Sequence, residues 1–192
     1  MSIPITPAKI DKLTPNKPHG LVVVITGNGK GKTTSAMGMV LRASGHGLHT
    51  CIIQLMKGDL YSGEWDGVKL LGTLVELHAT GMGFCGLQGN RYSHKEHRAN
   101  AQAALELARE KMGSGRYDIL ILDEINNALK LKLVDLEQVI GLIKDKPERM
   151  HLVLTGRDAH PEVIELADTV SEVCEIKHAY RQKIEPQPGI DY

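Results

Sequence analysis

The chain has 192 residues, 42% of them apolar, and Lys plus Arg balances Asp plus Glu at 23 each. A chain of this length buries roughly 70% of its unfolded surface in one compact domain, with no room for a second full one. Without net charge or a dense basic run there is no electrostatic footprint of a general nucleic-acid binder, so any anionic ligand must be met locally.

Residues 1–20 contain Pro4, Pro7, Pro15 and Pro18, which break any long helix. They read as an extended arm ahead of a single domain over 21–192. The arm lacks the apolar core of a signal peptide and no run reaches membrane-spanning length, so a soluble, cytoplasmic protein is expected. Cys51, Cys85 and Cys174 are widely spaced and form no paired motif. Reduced thiols, buried by default as small apolar residues, are the expectation.

Leu21 to Ile25 predicts a strand and Ser35 to Ala43 a helix ending near Gly45-His46-Gly47. Between them lies Thr26-Gly27-Asn28-Gly29-Lys30-Gly31-Lys32-Thr33-Thr34. Its glycines let backbone N–H groups converge on phosphate oxygens, and the helix N-terminus adds a favourable dipole. Lys32 would reach the phosphates and Thr33 a magnesium ion. The generic motif asks for four residues between its glycines, whereas only Asn28, Gly29 and Lys30 separate Gly27 from Gly31. Nucleoside triphosphate binding is therefore expected, with the phosphate register and the reaction left open. Arg42, in the last turn of the helix, either complements its dipole or contacts a ligand.

His49 to Met56 predicts a second strand followed by a loop at Lys57-Gly58-Asp59, and Thr73 to Leu77 a third strand. Trp65, the lone tryptophan, lies between them on a polar, turn-rich stretch and reads as a packing anchor. The loop Ala79 to Gly86 carries three glycines, Met82 and the lone phenylalanine, Phe84. It is either a lid on its own core or a ligand contact. Ser93 to Met112 predicts a long helix ending at Gly113, with His94 and His97 on one face of its first turn, read as solvated rather than as a zinc site.

Tyr117 to Leu122 predicts a buried strand that delivers Asp123 and Glu124 at its C-terminal end, where nucleotide-binding parallel sheets place a metal-positioning carboxylate. Asp123 would hold Mg²⁺ directly or through water. Glu124 would coordinate the metal, activate a water as a base, or simply start a helix. Leu136 to Lys144 predicts a helix and His151 to Leu154 a strand delivering Arg157, either to phosphate oxygens or to a salt bridge with Asp158 or Glu162. A helix from Pro161 to Ala167 and a strand from Val170 to Ile176 follow. Strands alternating with helices after a phosphate loop indicate a three-layer α/β fold around a mainly parallel sheet of about six strands.

Taken together, these residues resemble the P-loop type of ATP:corrinoid adenosyltransferase. The likeness rests on TGNGKGKTT at 26–34, RASGHG at 42–47, ATG at 79–81 and ILDE at 121–124. It continues through LTGR at 154–157, ELADTVSE at 165–172, KHAY at 177–180 and the terminal GIDY. The shortened phosphate loop is the form this family uses. The resemblance implies a RecA-like homodimer that transfers the 5′-deoxyadenosyl group of ATP to a reduced corrinoid, with triphosphate leaving. ATP is bound in reverse relative to ordinary P-loop hydrolases.

The acceptor implied is cobalamin, cobinamide or cobyrinic acid a,c-diamide, reduced by a flavin or flavodoxin-type donor. Lys32, Thr33 and Glu124 are implied as catalytic. Gly27, Asn28, Gly29, Lys30, Gly31, Lys32, Thr33, Thr34, Arg42 and Arg157 are implied as nucleotide contacts, and Thr33, Asp123 and Glu124 as ligands of Mg²⁺ or Mn²⁺. Met82 and Phe84 are implied beneath the corrinoid ring, where an apolar group excludes a lower axial ligand; Met82 stands where an aromatic residue is often found. The arm is implied to fold over the corrinoid. The rival readings are a generic RecA-like ATPase or kinase and a non-catalytic corrinoid carrier.

Overall fold

The computed structural model describes residues 15–58, 61–83, 85 and 90–192. Six short strands, β1 (Val22–Thr26), β2 (Thr50–Gln54), β3 (Val75–Ala79), β4 (Ile119–Asp123), β5 (His151–Thr155) and β6 (Thr169–Glu172), form one sheet in the order β3-β2-β4-β5-β1-β6. Every pairing is parallel. The helices are α1 (Lys32–Ser44), α2 (Glu64–Gly67), α3 (His94–Gly113), α4 (Ile125–Lys130), α5 (Leu136–Asp145) and α6 (Pro161–Glu165), with 3₁₀ segments at Val68–Leu74 and Ala179–Gln182.

β2 and β4 are buried at every residue, as central strands covered on both faces must be. Alternate side chains feed two cores. Ile53, Leu120, Leu122, Leu152 and Leu154 pack with Leu105 and Ala108 of α3, Leu142 of α5 and Val163 of α6. Ile25, Ile52, Ile121 and Val153 pack on the other face with Ala36, Val40 and Ala43 of α1. The result is the three-layer α/β sandwich, with six strands as expected.

Helix α3 starts where the sequence places it, because Ser93 and Glu96 form a reciprocal capping box. Within its first turn the two imidazoles part ways. His97 is buried with its ring edge-on to Tyr92, while His94 Nε2 lies 2.9 Å from the carbonyl oxygen of Leu131.

Several expectations are corrected. α2, α4 and the 179–182 turn were not foreseen, being too short for periodicity to register. β6 is shorter than Val170 to Ile176 and exposed throughout, an edge strand rather than a core one. Cys51 is buried, its thiol pushed up to about 12 by burial, but Cys85 is only half-buried and Cys174 is exposed. The arm up to residue 14 lies outside the described residues. Gly20 already belongs to the domain, its N–H donating to Glu148 O at 2.7 Å and its carbonyl accepting from Lys146 Nζ at 2.8 Å. Among the described residues no helix is long and apolar enough to cross a membrane.

On edge strand β3, Glu76 gathers Lys111 Nζ and His78 Nε2 at 2.7 Å each and the Tyr117 hydroxyl. Hydrogen bonds from Lys111 and Tyr117 hold its pKa down at about 2, from an ordinary value of 4.5, against the smaller opposing effect of burial. A depressed carboxylate contributes stability that is full above pH 4.5 and lost as pH falls through about 2. Glu76→Gln should therefore cost about 1 kcal/mol at neutral pH, a figure discounted for partial exposure. Its deficit against the unaltered protein in urea titrations should shrink steadily below pH 4.5.

Candidate functional site

The site forms at the C-terminal ends of β2, β4, β5 and β1. After Thr26 the chain turns through Gly27 at φ 97° and Gly31 at φ 124°, and α1 begins at Lys32. The loop is pressed against the residues after β6. Gly29 N–H donates to Val173 O at 2.7 Å, and a Cβ on Gly27 would stand 2.5 Å from that same oxygen. Gly27→Ala combines a strained φ with a backbone clash. It should destabilise the fold by roughly 2 kcal/mol or more and abolish saturable MgATP binding, as read by thermal unfolding with and without nucleotide.

Lys32 Nζ donates to Gly29 O at 2.7 Å, so its ammonium sits over the loop. Burial, and then the Arg157 guanidinium, lower its pKa. Thr33 Oγ1 donates to Asp123 Oδ1 at 2.9 Å. The buried Asp123 carboxylate also accepts from Thr155 Oγ1 at 2.6 Å and from Gln54 Nε2 at 3.2 Å. Gln54 and Asp123 are register partners at the ends of β2 and β4, so parallel pairing itself lines these groups up.

Glu124 follows in the left-handed region at φ 65°, its N–H donating to Thr155 Oγ1 at 2.9 Å, and it stands at the N-cap position of α4 without a side-chain capping bond. A non-glycine residue there is uncommon and marks a position the surroundings impose. Burial, and then the neighbouring Asp123 charge, raise its pKa to about 7, against the cations Lys57, Lys32 and Arg157. Its Oε2 is buried without a partner. That free oxygen, the Thr33 hydroxyl and Asp123 make a hard oxygen set that suits Mg²⁺ or Mn²⁺ completed by phosphate and water. Among the described residues no three His, Cys, Asp or Glu side chains converge as a protein-only metal site.

Two clefts meet here. One, of about 620 Å³, runs past Lys32, Thr33, Thr34 and Met37 to Lys57, Glu64 and the tail Pro188–Tyr192. The other, of about 410 Å³, is lined by Asn28, Gly29, Lys32, Cys85, Arg157 and His178. Lys30, Lys32 and Glu124 line both.

The structure thus brings together Gly27 to Thr34, Asp123, Glu124 and Arg157. Arg157 is not paired as the salt-bridge alternative had it, since Asp158 instead meets Lys130 at 2.5 Å. Met82 is half-buried and its carbonyl accepts from Asn90 Nδ2 at 3.3 Å. Phe84 lies outside the described residues, although Cys85 beside it reaches the second cleft. Arg42 is not brought to the loop. It is exposed in the last turn of α1, about 15 Å along the axis from Lys32 at 1.5 Å per residue, where it complements the helix dipole.

Sequence reasoning missed Gln54, Lys57, Glu64, Thr155 and Asp191. Gln54 is a polar residue set between the apolar Ile53 and Leu55, a signal present in the sequence. Asp191 pairs with Lys30 at 3.0 Å and so folds the tail over the phosphate loop, which only the tertiary fold shows.

A phosphate loop with a carboxylate pair on the strand next but one defines a P-loop nucleotide-binding protein of the parallel α/β class. The sequence profile of the family described as ATP:corrinoid adenosyltransferase BtuR/CobO/CobP matches residues 18–192, and the chain belongs to that family. A corrinoid adenosyltransferase of Pseudomonas aeruginosa is 38% identical over 174 residues, 91% of this chain and 84% of that protein. One of Escherichia coli K12 is 35% identical over 91% of this chain and 86% of its own length. Among solved structures, the KaiC-like protein PH0186 of Pyrococcus horikoshii OT3 aligns with a TM-score of 0.48 at 16% identity, over 84% of this chain and 76% of that one.

Proposed function

We propose that the protein transfers the 5′-deoxyadenosyl group of ATP to the Co(I) centre of a reduced corrinoid. The cobalt electron pair forms the bond to C5′, the C5′–O5′ bond breaks, and triphosphate leaves with that bond's electrons. The observation that carries this reading is the meeting of two clefts on Lys30, Lys32 and Glu124. A reaction joining two substrates needs both to reach the same few atoms.

Lys32 and the backbone of residues 27–33 hold and neutralise the triphosphate. Thr33, Asp123 and Glu124 would hold Mg²⁺ or Mn²⁺, which supplies further charge neutralisation on the leaving group. Arg157 lies on the wall of the second cleft as a further triphosphate contact. Met82 and Phe84 are assigned to the corrinoid side, with cobalamin, cobinamide or cobyrinic acid a,c-diamide as acceptor and a flavin or flavodoxin-type donor as reductant. The active form is proposed as a cytoplasmic homodimer.

The test is an anaerobic reaction with chemically reduced corrinoid and MgATP, following the cobalt spectrum and the phosphate products together. A cobalt–carbon bond and one triphosphate per turnover are expected; ADP and phosphate alone would overturn the reading. Those products would favour the ATPase or kinase alternative, for which the proton affinity of Glu124, with its pKa near 7, suits a general base.

A further inference from the structure

The lining of the larger cleft, which includes Thr33 and Glu124, also holds a charged pair that no role yet covers. Lys57, just beyond β2, meets Glu64 Oε1 at 2.5 Å, with side chains 23% and 15% exposed. Glu64 is heavily satisfied: it also accepts from Gln54 Nε2 at 3.0 Å and from the Ser62 hydroxyl. Burial works against its charge, yet the donors Lys57, Ser62 and Gln54 hold its pKa at about 2. Among the described residues Lys57, with three N–H donors, has this one carboxylate as its side-chain partner. A half-buried pair of this kind is costly unless its remaining donors find acceptors.

Two further constraints fix Lys57 in place. Gln54 carries the frame inward, its Nε2 reaching Asp123 and its Oε1 accepting from Trp65 Nε1 at 2.7 Å. The Lys57 carbonyl accepts from Gly81 N–H at 2.8 Å. Gly58 and Gly81 are pressed so close that a Cβ on Gly58 would stand 1.8 Å from Gly81 O. Lys57 is thus tied through Glu64 and Gln54 to the Asp123 carboxylate, and through its own carbonyl to Gly81.

Resting on the reading of the site as a nucleotide site, we propose that Lys57 is a further substrate-contacting residue. Anchored by Glu64 on the lining of the cleft that also holds Lys32, its ammonium binds the triphosphate of ATP. A cation here adds positive charge to the larger cleft from outside the phosphate loop, on a backbone that is itself bonded to Gly81.

The test is titration of the full-length protein with inorganic triphosphate and with MgATP, without corrinoid, following emission of Trp65, the lone tryptophan and a member of the same network. Lys57→Met keeps the stem and removes the charge, and should weaken both ligands about tenfold or more, the loss of one charge-assisted hydrogen bond. Lys57→Arg should recover most of that loss, and Glu64→Gln, which removes the anchor but keeps the ammonium, should weaken both ligands less than Lys57→Met does. If Lys57→Met does not fold, Lys57→Gln takes its place in the same comparison. Unaltered affinity in Lys57→Met, or equal losses in Lys57→Met and Glu64→Gln, would reduce the pair to a structural one and overturn the proposal. Production of ADP by the unaltered protein would sink adenosyl transfer while leaving this comparison standing.

Discussion

Lys32→Ala is expected to lower kcat/KM for adenosyl transfer by about 10²- to 10³-fold, the range for losing one preorganised electrostatic group. In the proposed reaction negative charge accumulates on the departing triphosphate as the C5′–O5′ bond breaks, and the Lys32 ammonium is held over the phosphate loop by Gly29 O at 2.7 Å. Because that charge is greater in the transition state than in bound ATP, most of the loss should fall in kcat. Steady-state kinetics with pre-reduced corrinoid separates the cases. A rise in KM alone would make Lys32 a uniform binding group, and an unchanged kcat/KM would remove it from the chemistry.

Glu124→Gln should lower transfer by about 10²-fold at a fixed magnesium concentration, and raise the magnesium concentration needed for half-maximal rate. The amide keeps the shape and the left-handed backbone at φ 65° but gives up the charge that the proposed metal site would use. Stability should move the other way. In the unaltered protein burial and Asp123 both oppose the Glu124 charge, so the thermal midpoint of Glu124→Gln should equal or exceed that of the parent. A variant that is less stable, with an unaltered magnesium requirement, would mark Glu124 as a helix cap and nothing more.

The architecture was largely legible because the central strands are unbroken apolar runs and the phosphate loop stands between a strand and a helix. Val22–Thr26, Ile119–Asp123 and His151–Thr155 fall within a residue or two of expectation. The ends of those strands carried Lys32, Thr33, Asp123 and Glu124 by local pattern alone. Thr155, Gln54 and Glu64 were not legible, because their roles depend on β2, β4 and β5 lying side by side, a fact of strand order rather than of spacing. Arg42 shows the reverse: its motif is conspicuous, yet three helical turns carry it away from the loop. β6 was read too long because Val170 to Ile176 is β-branched and apolar enough for a core strand, whereas its position at the sheet edge leaves it in solvent.

The contact between Gly29 and Val173 also bears on when the protein acquires its ligand. The shape of the phosphate loop is braced by residues synthesised more than 140 positions after it. A nascent chain halted before Val173 would carry the whole loop sequence and still lack the backbone that supports it. ATP should thus enter as one of the last events of folding, selecting chains whose sheet is already closed at β6.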